Sequence, residues 1–90
     1  MPAYEVCYDL RQPGRNYEPL WTRLRAWSAV RVLESCWIVP EASSADALRN
    51  DLRAYIDGND GLFIAGMTGE TAWTKLMDSS DQFLLKKFAA

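Results

Sequence analysis

The sequence predicts an α+β domain in which four antiparallel strands form one sheet and two helices cover one of its faces. Two observations favour this class. Apolar residues alternate in short strand-like runs and recur at helical spacing in the segments between them. These segments follow one another as strand, helix, strand, strand, helix, strand. The 90 residues are expected to form a single domain, with a core at 3–67 and a C-terminal extension at 68–90.

The first predicted strand, residues 3–10, carries most of the candidate chemistry. Alternation assigns its side chains to two faces: Tyr4, Val6, Tyr8 and Leu10 lie on the more apolar face, and Ala3, Glu5, Cys7 and Asp9 lie on the other. An arginine-flanked turn at 13–14 follows the strand. The first helix is then expected to begin with Asn16 as its N-cap. Its apolar stripe consists of Tyr17, Leu20, Trp21, Leu24 and Trp27.

The middle of the chain, residues 29–40, is rich in Val, Ile and Trp and is too long for one strand in so small a domain. We therefore predict two strands, Val30–Leu33 and Cys36–Val39, joined by a turn at 34–35. The fourth strand is predicted at 62–67, where neither face carries a polar residue.

The second helix is expected to begin at Ser43 or Ser44. Its apolar stripe consists of Ala45, Leu48, Leu52, Tyr55 and Ile56. Gly58 occupies the position of a helix C-terminal glycine. Residues 68–75 are expected to form a loop around Trp73. The last short helix is predicted to begin at Ser79 or Ser80, to turn Phe83, Leu84 and Phe88 inward, and to carry Lys86 and Lys87 near its C-terminus.

The second face of the sheet is also apolar, because the fourth strand is apolar throughout and Trp37 and Ile38 are expected to add to this face. Water should not contact such a surface. We expect a second copy of the chain to cover it, related by a two-fold axis, so that the protein is a homodimer. The alternative is that the C-terminal segment, with Trp73, Phe83 and Phe88, folds across the sheet of its own chain.

The order of the elements is that of the ferredoxin-like βαββαβ fold, with the first and third strands central and antiparallel. This topology predicts that Asp9, at the end of the first strand, lies beside Ser35 and near Asn59 and Asp60. The same end of the sheet receives Glu34 and the turn at 11–15. Residues that are scattered in the sequence therefore form one predicted polar cluster.

Composition limits the chemistry of this cluster. The chain has no histidine, which excludes every site that needs a histidine base or ligand, and its two cysteines, without metal-type spacing, are expected to be free buried thiols. The net charge is −2, but residues 1–33 hold five arginines against three acidic residues. Arginines suit bidentate phosphate contacts, although Arg23 and Arg25 can also be read as solvating a helix. No segment is typical of a membrane span or a signal peptide, which predicts a cytoplasmic protein.

Several motifs resemble a known family. They are Tyr8-Asp9-Leu10, Val32-Leu33-Glu34-Ser35-Cys36-Trp37, and Asp60 before the last strand. Together they resemble the CRISPR-associated protein 2 family of small adaptation subunits, over residues 3–67. The chain is still more similar to the small SinR-like relatives that are often grouped with that family, at Pro13-Gly14, Tyr17, Ser35 with Trp37, Asn59-Asp60 and Ala72-Trp73.

The resemblance implies a ferredoxin-like homodimer whose paired first-strand aspartates hold a divalent metal, with nuclease activity in some members and a structural role in others. Asp9 corresponds to the metal ligand and catalytic residue, and Ser35 to its neighbour. The residues themselves agree with this chemistry, because two carboxylates that meet at a two-fold axis can share Mg²⁺ or Mn²⁺. Such an ion could activate water for attack on RNA or DNA.

In this endonuclease hypothesis the phosphate is held by Arg11 and Arg15, with Arg31 as a further nucleic-acid contact. The supporting residues are Ser35, Glu34, Asn59 and Asp60. A simpler interpretation of Asp9 is a strand-terminal aspartate that accepts backbone hydrogen bonds in the following turn. The alternative function is a non-catalytic dimeric interaction protein of a toxin-antitoxin or mobile-element system, with a small protein as its partner.

Overall fold

The computed structural model describes residues 2–77 and 80–88. Its elements are β1 (Tyr4–Asp9), α1 (Glu18–Ala26), β2 (Val30–Leu33), β3 (Cys36–Val39), α2 (Ala45–Leu52), β4 (Gly61–Gly66) and α3 (Ser80–Phe88). The strands form one sheet in the order β2-β3-β1-β4, and every neighbouring pair is antiparallel. The predicted α+β class and four-stranded antiparallel sheet are confirmed, and β2 and β3 have the predicted bounds.

The main core lies between the sheet and the helices α1 and α2. Tyr4, Val6 and Tyr8 of β1 are buried there, as the alternation predicts. The helices supply Leu20, Leu24, Leu48 and Leu52, none of which is exposed at all. The complete burial of these four leucines is a large apolar contribution to the stability of this layer.

Both helices begin close to the predicted residues. The N-cap of α1 is Tyr17 rather than Asn16, but the Asn16 side chain still accepts a hydrogen bond from the Glu18 N–H at 3.0 Å. Ser44 is the N-cap of α2, and its hydroxyl accepts from the Ala47 N–H at 3.0 Å. This bond satisfies one of the free N–H groups of the first turn.

The end of α2 differs from the prediction. The helix stops at Leu52 and continues as one 3₁₀ turn, Arg53–Tyr55. Gly58 is therefore not the C-terminal glycine of the helix. It lies instead in a turn closed by Asp57 and Asp60, in which the Asp60 N–H donates to the Asp57 carbonyl at 3.1 Å. Hydrogen bonds within this turn compete with those of the helix. The helix therefore ends before the last residues of its predicted apolar stripe.

The second face of the sheet is covered in part by the C-terminal segment of the same chain. Val32, Cys36 and Ile38 form a second buried cluster with Leu84 of α3. The half-buried side chains around this cluster are Cys7, Met67, Trp73, Leu76, Phe83 and Phe88. A cover of this face by the C-terminal segment of the same chain was the predicted alternative to a cover by a second subunit. Residues 68–75 contain no helix or strand, as predicted.

Trp37 does not lie on the second face. It is 2% exposed and belongs to the helix-side core, so its predicted position was wrong. Its neighbour Ile38 does face the second cluster. The predicted start of α3 was Ser79 or Ser80; α3 begins at Ser80, and Ser79 is outside the described residues.

The cover over the second face leaves one large aromatic side chain in water. Phe63 of β4 is 64% exposed. It pairs with Cys7 of β1 across the sheet. Within residues 2–77 and 80–88, none of the helices has the length and apolar character needed to cross a bilayer.

Candidate functional site at the end of strand β1

Asp9 is the last residue of β1 and lies opposite Gly61, the first residue of β4. Its side chain is 73% exposed and forms an ion pair with Arg11, at 3.1 Å from Nε to Oδ2. Gly61 makes this arrangement possible, because a Cβ there would lie 3.0 Å from the Arg11 guanidinium. The carboxylate is thus presented to solvent at the end of a central strand, with a cation beside it.

Asp60 has a different role from Asp9. It accepts hydrogen bonds from the Arg11 N–H at 2.6 Å, the Tyr17 hydroxyl at 2.7 Å and the Asp57 N–H at 2.8 Å. Burial raises the pKa of Asp60, but these bonds lower it by more, so that its pKa lies below the ordinary value. Arg11 also donates from Nη1 to the Asn59 carbonyl at 3.1 Å. Asp60 therefore anchors the backbone after β1 to the turn before β4.

A surface groove of about 270 Å³ borders Asp9. It is lined by Tyr8, Asp9, Leu10, Trp21, Arg31, Glu34 and Ser35. The groove thus brings together three residues of the predicted cluster, Asp9, Glu34 and Ser35. Arg31 of β2, a predicted nucleic-acid contact, lines it as well. Ser35 is also tied to β1 through its carbonyl, which accepts from the Tyr8 N–H at 3.1 Å.

The Tyr8 hydroxyl organises the inner wall of this groove. It accepts from the Trp21 Nε1 at 3.1 Å and from the Trp37 Nε1 at 3.0 Å, and it donates to the Glu34 carbonyl at 3.2 Å. Arg31 donates from Nε to the same carbonyl at 3.0 Å. Glu34 therefore takes part in this hydrogen-bond network through its backbone carbonyl oxygen, and these bonds hold the turn between β2 and β3 against the end of β1.

Arg31 is held over two aromatic rings. Its guanidinium carbon lies 5.1 Å from the centre of the Trp21 ring and 5.7 Å from that of Trp37. These are cation–π distances. The arrangement fixes a positive charge in the wall of the groove that Asp9 also lines.

Arg15, the third predicted contact for nucleic acid, is engaged elsewhere. It forms an ion pair with Asp57 at 3.3 Å and lies over the Tyr17 ring at 5.5 Å. The structure therefore pairs Arg11 with Asp9, places Arg31 in the same groove as Asp9, and places Arg15 against the turn that follows α2. Among the described residues, Arg15 is not one of those that line the groove.

The donor set at Asp9 decides which cation it can hold. A hard ion such as Mg²⁺ takes oxygen ligands, with one or two carboxylates and several waters. Two exposed carboxylates, Asp9 and Glu34, line the groove here, and that of Asp9 is already paired with Arg11. A divalent ion at Asp9 would therefore need further oxygen ligands besides this one carboxylate.

A second group of ligand side chains lies on the same face of β1. The ligand atoms of Glu5, Cys7 and Cys36 all lie within 4.8 Å of one another. The sequence predicted two free buried thiols; both are free, but Cys7 is only half-buried. Alternation does place Glu5 and Cys7 on one face, yet the position of Cys36 opposite Cys7 depends on the register of β1 and β3.

Both thiols of this group hold their protons more tightly than ordinary cysteines do. Burial raises the pKa of Cys36 to about 12, and the neighbouring Cys7 and Glu5 add to the shift. Burial also raises the pKa of Cys7, against the opposing effect of its contact with Cys36. At neutral pH the free protein therefore presents two thiols and not a reactive thiolate.

No protein-family model matches this sequence, and no solved structure matches the chain significantly. Fold and activity are separate questions for so small a domain, because one fold serves many functions.

Proposed function

We propose that this protein is a cytoplasmic, ferredoxin-like homodimer that binds nucleic acid at the end of β1 and cleaves it slowly with the help of a divalent metal. The observation that carries this proposal is the exposed Asp9 carboxylate, which is paired with Arg11 and lines a groove together with Arg31. A carboxylate with two arginines in its neighbourhood suits a site that holds both a cation and a phosphodiester.

The topology supports the ferredoxin-like assignment. The central pair of the sheet is β1 and β3, each is followed by a helix, and β2 and β4 form the edges. This is the order of the split βαβ arrangement. The motif Tyr8-Asp9-Leu10 at the end of β1 is also where the resemblance to the CRISPR-associated protein 2 and SinR-like proteins expects a metal-binding aspartate.

The metal requires the second subunit. Two Asp9 carboxylates at a two-fold axis repel each other unless they share a cation, and two carboxylates with waters are a normal ligand set for Mg²⁺ or Mn²⁺. Phe63, exposed on the face shared with Asp9, gives such a contact an apolar centre.

The chain's own side chains bind and orient the substrate. Arg11 is free to exchange its partner from Asp9 to a phosphate oxygen once a cation neutralises the carboxylate, and Arg31, fixed by Trp21, remains in place as a second phosphate contact. A divalent ion held by the Asp9 carboxylates of the two subunits would supply an activated water and would neutralise charge on the phosphate. Asp60 keeps the Arg11 backbone in position through its 2.6 Å hydrogen bond.

The test is a cleavage assay with single-stranded and double-stranded RNA and DNA, in Mg²⁺ or Mn²⁺. Asp9→Asn removes the charge that a hard cation needs and keeps the shape of the side chain. We expect it to lower the cleavage rate by at least about 100-fold, the scale for losing one electrostatic group at a reacting centre. The matched control is Asp46→Asn, whose carboxylate is also exposed and also paired with an arginine, Arg49; it should cleave like the wild type.

The alternative is a dimeric interaction protein without catalysis, part of a toxin-antitoxin or mobile-element system. It is favoured by one observation, that Asp9 is already neutralised by Arg11 within the chain. Wild-type protein that cleaves none of the four substrates with any divalent ion would reject the enzyme and leave this function. In that case a small protein encoded by an adjacent gene should co-purify as a complex.

A further inference from the structure

We propose that Glu5, Cys7 and Cys36 form a binding site for a thiophilic divalent cation of the zinc class, completed by a fourth, non-protein ligand. This site is separate from Asp9 and does not depend on the nuclease proposal. The three side chains come from the two central strands, so a rigid part of the sheet positions them.

Two of the three distances between the ligand atoms match a tetrahedral site. The two sulfurs are 3.8 Å apart, and the Cys36 sulfur is 3.7 Å from the Glu5 Oε2. With Zn–S bonds of about 2.3 Å and Zn–O bonds of about 2.1 Å, the corresponding tetrahedral edges are about 3.8 Å and about 3.6 Å. The ligand atoms of the third pair, Glu5 and Cys7, lie within 4.8 Å of each other, so that a change in the Glu5 side chain, and not in either strand, completes the site.

The donor types select the metal. Two thiolates favour a soft or borderline ion, whereas Mg²⁺ and Ca²⁺ prefer a set made only of oxygen. Binding replaces two S–H bonds with two metal–sulfur bonds and releases two protons. The sulfurs are neither oxidised nor reduced, so the step needs no further reactant.

The surroundings leave room for the fourth ligand and limit water. A cavity of about 190 Å³ between the sheet and the C-terminal segment is bordered by Glu5 and Cys36 and closed by Trp73 and Leu84. It can hold a water or a small anion on the metal. Val32 and Ile38 line the same cavity, and an apolar shell of this kind strengthens the charged interactions inside it.

The experiment is a titration of the full chain, reduced and without oxygen, with Co²⁺ as the spectroscopic probe and Zn²⁺ as the competitor. We expect about one equivalent of Co²⁺ per chain, with a sulfur-to-cobalt charge-transfer band and the intense visible bands of tetrahedral cobalt. Zn²⁺ should displace the cobalt, and a large excess of Mg²⁺ should not.

The variants separate this site from adventitious binding. Cys7→Ser and Glu5→Gln are expected to weaken Co²⁺ binding by at least about 100-fold, because even the loss of an outer hydrogen bond to a ligand costs about 10- to 100-fold. Glu41→Gln, at an exposed glutamate on the loop before α2, is the control and should bind as the wild type does.

Cys36 is buried, so Cys36→Ser is informative only if circular dichroism shows a folded chain; Cys7→Ser, at a half-buried residue, carries the test otherwise. The proposal fails if the cobalt spectrum lacks the charge-transfer band. It also fails if folded Cys7→Ser keeps full affinity for Co²⁺.

Discussion

The Tyr8 hydroxyl shows how one atom can hold several elements together. It joins the indole groups of Trp21 and Trp37 to the turn carbonyl of Glu34, and so connects α1, β3 and the turn between β2 and β3 to the end of β1. The sequence identifies Tyr8 as a core residue by alternation. It does not identify the hydroxyl as the acceptor for two indoles, because those partners lie 13 and 29 residues away.

We predict that Tyr8→Phe lowers the free energy of unfolding by about 1–3 kcal/mol, because the Trp37 Nε1 is buried and loses its acceptor. Urea denaturation measures this directly. Tyr4→Phe is the matched control, since Tyr4 lies on the same face of β1 with the same 8% exposure. No hydrogen bond of its hydroxyl is found among the described residues, so equal losses in the two variants would contradict the prediction.

At the scale of elements, one aspartate ties α1 to α2. Asp51 accepts from Arg23 at 2.7 and 2.8 Å and from the Trp27 Nε1 at 2.8 Å. The hydrogen bonds from Arg23 hold the pKa of Asp51 below its ordinary value, against the effect of burial and with further help from Trp27. Arg23 therefore links two helices and does more than solvate one.

This lowered pKa predicts a dependence of stability on pH. A carboxylate whose pKa is lower in the folded state stabilises the fold fully above its unfolded pKa, about 3.9, and loses this contribution as the pH falls through the folded pKa. We expect Asp51→Asn to be less stable than the wild type at neutral pH. This gap in stability between the two proteins should become smaller below about pH 4. Thermal melts at several pH values measure the gap, and a gap that stays constant in acid would refute the prediction. Asp46→Asn, on an exposed carboxylate of the same helix, is the control.

The helix α3 acts as a partial cover for the second face of the sheet. Its Leu84 is 3% exposed and packs on Val32, Cys36 and Ile38, whereas the next residue, Leu85, is 48% exposed. The C-terminal extension is thus packed against the sheet through one side of a short helix. The same residues close the cavity next to Cys36.

We predict that Leu84→Ala lowers the free energy of unfolding by about 2–4 kcal/mol, the usual cost of removing a buried leucine side chain. Leu85→Ala makes the same chemical change at a mostly exposed position and should cost less than about 0.5 kcal/mol. Chemical denaturation of both variants tests the packing of α3. Similar values for the two would show that the helix does not lie on the sheet in this orientation.

At the scale of the whole molecule, the main expectation still to be measured is the homodimer. The C-terminal segment covers the face over β2 and β3, while Phe63 on β4 stays 64% exposed. A second subunit seated on β1 and β4 would bury this ring, and a two-fold axis that passes near the end of β1 would bring the Asp9 residues of the two copies together.

We predict that sedimentation at micromolar concentration gives about twice the chain mass of 10.2 kDa. Phe63→Ala should weaken the dimer by about 10- to 100-fold, since burying such a ring contributes about 1.5–3 kcal/mol. Leu33→Ala, at an exposed apolar residue on the opposite edge of the sheet, is the control. A wild-type monomer at this concentration, or equal dimer affinity in both variants, would rule out this interface.

The sequence by itself determined the features that depend on neighbouring residues. The bounds of β2 and β3, the choice of Ser43 or Ser44 as the cap of α2, and the buried face of β1 follow from periodicity and turn residues, which are local signals. The polar cluster around Asp9 follows from the predicted order of the strands in the sheet. The early end of α2 was missed because the turn closed by Asp57 and Asp60 overrides the apolar stripe.

The tertiary structure alone decided the features that depend on register and on distant segments. In β3 all four residues are buried, so no polar residue marks which face Trp37 takes. The meeting of Cys7 with Cys36 follows from the pairing of β1 with β3, and a shift of one residue would turn Cys36 to the other face. Whether α3 or a second subunit covers the second face depends on the free energies of the two arrangements, which local signals do not contain. Because α3 belongs to the same chain, it buries its apolar side without the entropy loss of association.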